Sequence, residues 1–302
     1  MFVMTAFNRP PNRVFQCFHI IGPLLGLFLA LLLSGCSAVK LGYNNAPELG
    51  YWWLDGYLDL NDRQSVQVRA DLAALQAWHR QTELPLYVST LQQLQRMAAS
   101  DVTPAQVCEV SADLRSRFQA LLDQAEPALS TLASTLHAEQ LDHLARQFDK
   151  RNQKWRAEWL DDSPTERRAR RVKQRVERAE MFYGPLQELQ LAVVRDSAAA
   201  SAFDARLHDQ EAVRRQQDTL QTLRQIQTST PAGTQLRTAV HALLARATDS
   251  PDAAYQNYLE KTGQENCLAM AKLHNSATPA QRLKVMETLK AYETDARALM
   301  AP

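Results

Sequence analysis

The sequence predicts an all-α protein, an elongated multi-helix bundle, and three observations carry that expectation. Apolar residues recur three and four apart in run after run, and no stretch of any length alternates as a strand would. Glycine is scarce, with nine in 302 residues, while Ala, Leu, Gln, Arg and Glu are abundant. The breaks between apolar runs share one chemistry, Ser or Thr followed by Pro: Thr103-Pro104, Ser163-Pro164, Thr230-Pro231, Ser250-Pro251 and Thr278-Pro279. A hydroxyl there caps orphan N–H groups, and Pro takes the first helical position, where a missing N–H costs nothing. Gln106, Glu166 and Gln281 stand three residues past the hydroxyl and complete capping boxes at three of the five starts.

Residues 1–35 read as a secretion signal. Arg9 and Arg13 form a basic start, Ile20 to Leu33 an apolar run, and Ser34-Gly35 the small residues before a cleavage point. Met4 offers a second start. The apolar run is shorter than the roughly twenty residues a spanning helix needs. Leu33-Ser34-Gly35-Cys36 resembles the lipobox of bacterial lipoproteins, a resemblance that makes Cys36 the acylated mature N-terminus. Several acyl chains on one residue would hold the protein durably, where a single chain would not. Ser37 stands where Asp would resemble an inner-membrane retention signal, which favours the outer membrane, facing the periplasm.

Residues 36–61 are expected to be a lipid-anchored, aromatic-rich segment and the least helical part of the mature chain. Tyr43, Tyr51, Trp52, Trp53 and Tyr57 alternate there with Asn44, Asn45, Pro47, Gly50 and Gly56. The rings either pack on the bundle or meet a partner or lipid headgroups, since Trp and Tyr suit boundaries between apolar and wet surroundings.

Residues 62–302 form the helical periplasmic domain. Val68, Leu72, Leu75 and Trp78 begin it, and Leu84, Tyr87, Leu91 and Leu94 repeat the spacing after an interruption at Thr82 and Pro85. Leu114, Phe118, Leu121 and Leu122 give another face, followed by Leu136, Leu141, Leu144 and Phe148 running on to Trp155 and Trp159. The last helix carries Val285, Leu289, Tyr292, Ala296 and Leu299, with Glu293 and Arg297 expected as an ion pair on its outer side.

The 34 basic side chains nearly balance the 33 acidic ones, and only Arg9 and Arg13 fall within residues 1–35. No strongly basic field remains, which argues against nucleic acid. Cys17 leaves with the signal and Cys36 with the lipid. Cys108 and Cys267 are left, and an oxidising compartment would join them across a loop of roughly 160 residues, stabilising the fold by up to about 5 kcal/mol. Two buried free thiols are the other reading.

One charge cluster stands out: Arg167, Arg168, Arg170, Arg171, Lys173, Arg175 and Arg178, interleaved with Glu166, Glu177 and Glu180. It either solvates a helix that pairs with the chain's own acids or binds an anionic partner, lipid headgroup or phosphate. No catalytic residue, metal ligand set or cofactor motif emerges. His137 and His143 lie six apart, on different helix faces, and no His-Glu-x-x-His, Gly-rich phosphate loop or Gly-x-Ser-x-Gly is present. The carboxylate pairs Asp161-Asp162 and Asp55 with Asp59 read as solvated surface.

Four windows, Val102 to Gln106, Leu136 to Gln140, Leu186 to Gln190 and Ala277 to Gln281, resemble the Leu-Thr-x-x-Gln motif of Spy-like periplasmic chaperones, none in full. That resemblance implies a helical surface that holds unfolded clients. A capping box explains the same Thr-Pro-x-Gln pattern. A wider resemblance rests on the lipobox, Leu41-Gly42-Tyr43-Asn44-Asn45, Trp78-His79 with Glu83-Leu84-Pro85, Gln140 to Asn152, the Arg-rich segment ending near Gly184, Cys267, and Gln281-Arg282 leading to Tyr292-Glu293. These are similar to a family of proteobacterial lipoproteins known as a domain of unknown function, which implies an all-helical envelope protein and transfers no activity. The expectation is a non-enzymatic scaffold, accessory subunit or chaperone-like binder. The alternative is a cell-wall or lipid-surface enzyme whose site is not visible in the sequence.

Overall fold

The computed structural model describes residues 38–301, so the signal and the lipidation site Cys36 lie outside the described residues. The chain divides into two compact units, residues 1–44 and residues 45–302. In the first, the described part is one short helix, α1 (Ala38–Asn44). The second holds α2 (Ala46–Leu58), α3 (Asp62–Trp78), α4 (Leu84–Ala98), α5 (Pro104–Thr135), α6 (Ala138–Trp159), α7 (Pro164–Tyr183), α8 (Glu188–Ala200), α9 (Ala205–Ser229), α10 (Thr234–Thr248), α11 (Ala253–Asn275) and α12 (Pro279–Met300). Among the described residues there is no strand.

The all-α expectation holds, but residues 38–58 depart from the expected irregular segment by being helical. Gly50 and Gly56 each cost a helix about 1 kcal/mol relative to Ala. Packing overrides them, because Leu54, Tyr57 and Leu58 of α2 enter a core shared with α6. Tyr57 meets the Phe148 ring, and Tyr51 donates to Ser65 Oγ at 3.1 Å beneath the Arg69 guanidinium. Trp52 and Trp53, by contrast, do not pack away and stay exposed.

Thr82 and Pro85 do not break the chain either. The helix from Asp62 runs through a π turn, His79–Glu83, and on into α4. Pro85 has no N–H and its ring crowds the turn before it; widening the turn, so that Leu84 N–H reaches His79 O, accommodates the ring.

Two separate apolar cores fill the larger unit. One gathers Ala98 of α4, Ala179 and Tyr183 of α7, Val194 of α8, Leu273 of α11 and Val285 and Leu289 of α12. The other gathers Leu58, Ala133 of α5, Leu141 and Leu144 of α6, Leu223 and Ile226 of α9 and Val240 of α10. The 32-residue α5 reaches from the neighbourhood of α11 to the second core. The bridge Cys108–Cys267 ties α5 to α11, with Cα atoms 5.4 Å apart and a sequence separation of 159. Beside it Asn275 accepts from Val102 N and donates to Val102 O, at 2.8 and 3.0 Å.

Each core has the same polar lock at its edge. Gln64 opens α3 and Gln140 opens α6, each three residues past its cap, and their side chains exchange hydrogen bonds at 3.2 and 2.9 Å. Gln140 Nε2 also donates to Leu58 O and Asp59 O, while its Oε1 accepts from His137 N. Gln190 and Gln281 repeat this where α8 and α12 begin, at 2.6 and 3.0 Å, with Ser276 O and Pro185 O as further acceptors. All four glutamines are buried. Leu136 and Leu186, one residue before their caps, are buried in the adjoining cores. Gln106 closes a capping box without a partner and stays exposed.

The boxes expected at Thr103, Ser163 and Thr278 are present. Thr230 and Ser250 do not start helices. Thr230 ends α9 in the left-handed region, with Pro231 as the stop, and α10 starts after Gly233. Ser250 is buried and donates to Glu211 Oε2 at 3.1 Å, leaving Asp252 to cap α11. Glu293 is a further correction. It is 1% exposed and faces α4, where Gln92 and Gln95 each donate at 2.9 Å, joined by Lys290 and Arg297 from its own helix. The donors, led by Gln95, hold its carboxyl well below the usual range despite the burial.

Replacing one lock glutamine strands its partner's amide in the interior, where an unmet polar group costs about 1–3 kcal/mol beyond the lost bonds. Gln190→Ala should therefore lower unfolding stability by about 2–4 kcal/mol, and Gln106→Ala by less than about 1 kcal/mol. Urea titration of both variants checks the ratio.

Candidate anion-binding cleft

α7 starts from the Ser163–Glu166 box and turns Val172, Val176, Ala179 and Tyr183 toward the first core. That apolar stripe fixes where the basic side chains go. Arg167 donates to Leu160 O and Asp162 O, fastening α7 to the end of α6. Arg170 pairs with the Asp162 carboxylate and lies 5.7 Å from the Trp159 ring. Arg175 donates to Asn266 Oδ1 at 3.1 Å, and Lys173 stands 3.9 Å from Glu177 on the exposed side. Arg168 and Arg178 form no ion pair among the described residues. The cluster splits into structural and uncommitted members.

Arg171 is the unusual one. Its guanidinium lies 4.5 Å from the Phe203 ring, and Nη2 is buried with no hydrogen-bond partner. Burial, with Arg175 beside it, pushes the group below its ordinary value; Tyr258 and Glu265 act the other way. An arginine stays charged under such pressure, so the buried N–H remains a donor lacking an acceptor.

Arg171 borders a cleft of about 380 Å³ between the start of α7, the end of α8 and the start of α9. Arg167, Arg168, Arg171 and Arg206 line it, with Ser201 as a hydroxyl. The carboxylate in its wall, Asp204, is spent on capping α9, accepting from Arg206 N at 2.8 Å and Leu207 N at 3.3 Å. The first turns of both α7 and α9 also border the cleft, adding the positive ends of two helix dipoles. An aromatic run braces it from below: His208 on Trp155 at 4.4 Å, Trp155 on Trp159 at 5.2 Å, and Trp159 on Phe203 at 5.7 Å. Chemically, the arrangement suits an oxyanion that offers several acceptors to guanidinium forks.

Arg206 escapes sequence reading because it sits alone, one helix pair beyond the basic run. No linear signal marks it. The other residues weighed from sequence fall into structural roles. His143 Nε2 lies 3.1 Å from Gly56 O and 2.9 Å from Gln147 Nε2, and Asp55 accepts from Leu60 N at 3.0 Å. Among the described residues no group of three or more His, Cys, Asp or Glu is placed to hold a metal ion. An open trough of about 650 Å³ beside Gln92, Gln95 and Lys290 contains Glu293, whose donors already satisfy it.

Arg171→Met keeps the aliphatic stem against Phe203 and removes the unmet donor. It should leave the fold at least as stable, with a gain of about 1 kcal/mol, as expected where a site is kept at the expense of stability. Thermal unfolding of the purified variant checks this, with Arg170→Met as a control that instead loses its Asp162 pair.

No helix among the described residues is long and apolar enough to cross a membrane. The disulfide belongs to an oxidising, extracytoplasmic compartment. Comparison with curated proteins and with solved structures gives no match. Residues 56–249, which include all four cleft arginines and Cys108 but stop short of Cys267, match a family of unknown function (DUF6279). The match spans more than half of the chain, and the protein belongs to that family.

Proposed function

We propose that this protein is a non-enzymatic binding subunit of the bacterial envelope. Acyl chains on Cys36 anchor it to the outer membrane, facing the periplasm, and the Arg171 cleft holds an oxyanion group presented by a dedicated partner. The observation that carries this reading is the convergence of Arg167, Arg168, Arg171 and Arg206 on one cleft, with Nη2 of Arg171 buried behind it and unpartnered. A charged donor kept without an acceptor inside the protein is stabilised once an anion arrives. The disulfide supports the compartment, and the lipobox pattern supports the anchor.

A dedicated partner is favoured over a spread of unfolded clients. Three of the four glutamines behind the chaperone resemblance, Gln140, Gln190 and Gln281, are buried in their interhelix locks and offer clients no surface, which leaves only Gln106 exposed. Photo-crosslinking from position 168 in intact cells tests the proposal. One dominant adduct, lost when Arg171→Met and Arg206→Met are combined, is the expected result. A broad ladder of adducts indifferent to those substitutions would point to client holding and overturn it.

A further inference from the structure

We infer that the outward face of α2 lies in the interfacial layer of the membrane. Ala46, Leu49, Trp52, Trp53 and Gly56 follow one another at helical spacing and form an exposed stripe with no charged residue. Leu49, Trp52 and Trp53 are 51%, 61% and 59% exposed. An outward helix face normally carries the charges, and α2 inverts that rule. Its acidic residues lie off this stripe and have partners within the chain: Glu48 forms an exposed pair with Arg69, and Asp55 accepts from Leu60 N.

The stripe cannot turn inward. The opposite side of α2 is held by Tyr51 on Ser65 and by Leu54, Tyr57 and Leu58 in the second core, and the Trp53 ring rests 4.9 Å from Tyr57. The Trp52 and Trp53 rings therefore stay on the outside.

A lipid surface fits this stripe better than a second copy of the chain. The exposed parts of one Leu and two Trp amount to roughly 400 Å², against about 800 Å² that each partner of a stable protein interface contributes. Indole rings favour the bilayer interface, where the ring meets acyl chains and the N–H stays hydrated. Position in the chain agrees. Ala46 is ten residues on from Cys36, a reach of at most about 35 Å when extended, so an anchored Cys36 keeps α2 beside the bilayer. This last step rests on the lipid-anchor reading.

The test uses the mature protein on phosphatidylethanolamine–phosphatidylglycerol vesicles with brominated acyl chains, which quench nearby indoles. The chain has five Trp. The wild-type protein should lose the share of its emission that Trp52 and Trp53 contribute, and W52F/W53F should bind equally and show no quenching. Bound protein whose emission brominated lipid leaves unchanged would overturn the inference while the anchor stands. Mass measurement of the N-terminal peptide reads acylation of Cys36 separately. If that peptide carries no acyl chain, coupling Cys36 to a maleimide lipid restores the tether, and the same quenching result decides the α2 face alone.

Discussion

A buried primary amide is tolerated only when its two N–H donors and its oxygen find partners, and this protein meets that demand four times with the same device. Each lock glutamine satisfies the backbone of its own helix start and the side chain of another. The result fixes two helix origins against each other far more tightly than apolar packing alone, because losing either partner leaves the other unmet. The cores then grow outward from those fixed points, with Leu136 and Leu141 beside one lock and Leu186 beside the second. The rest of the architecture depends on that constraint.

The two cores, each with its own lock, share one compact unit over residues 45–302. Long helices join the cores, and polar ties set their register. Glu293 clasps α4 to α12, and the disulfide pins α5 to α11. Glu211 does the same around the start of α11. Burial pushes its carboxyl up, but Arg214, Arg215 and the Ser250 hydroxyl hold it below the usual range. Arg214 and Arg215 of α9 and Arg246 of α10 are thereby consumed by structure. Against that background the Arg171 cleft differs in kind, since its positive groups outnumber the acids available to them.

Helix periodicity and the hydroxyl-Pro-x-Gln starts were legible because they are local, written within five residues. So was the bridge, since only Cys108 and Cys267 remained to pair in an oxidising compartment. The misreadings have physical causes too. Thr230 and Ser250 share the chemistry of a helix start, yet Pro serves equally well after a helix stop. Glu293 and Arg297 look like a surface ion pair in one dimension, and only α4 reveals that Gln92 and Gln95 complete a buried site. Gly50 and Gly56 spoke against a helix that tertiary packing supplies. The reciprocal pairing of Gln64 with Gln140, and the convergence of Arg206 on Arg171, depend on contacts between distant segments and leave no trace in spacing.

The account stands or falls on whether the cleft captures an oxyanion. The most direct measurement follows the arginine Nε–Hε resonances of the purified protein during titration with inorganic phosphate. The account predicts that Arg171 shifts and saturates, that Arg206 moves with it, and that Arg69, engaged with Glu48, stays still. Weak, non-saturating shifts spread evenly over all arginines, with Arg171 no different from the rest, would contradict it.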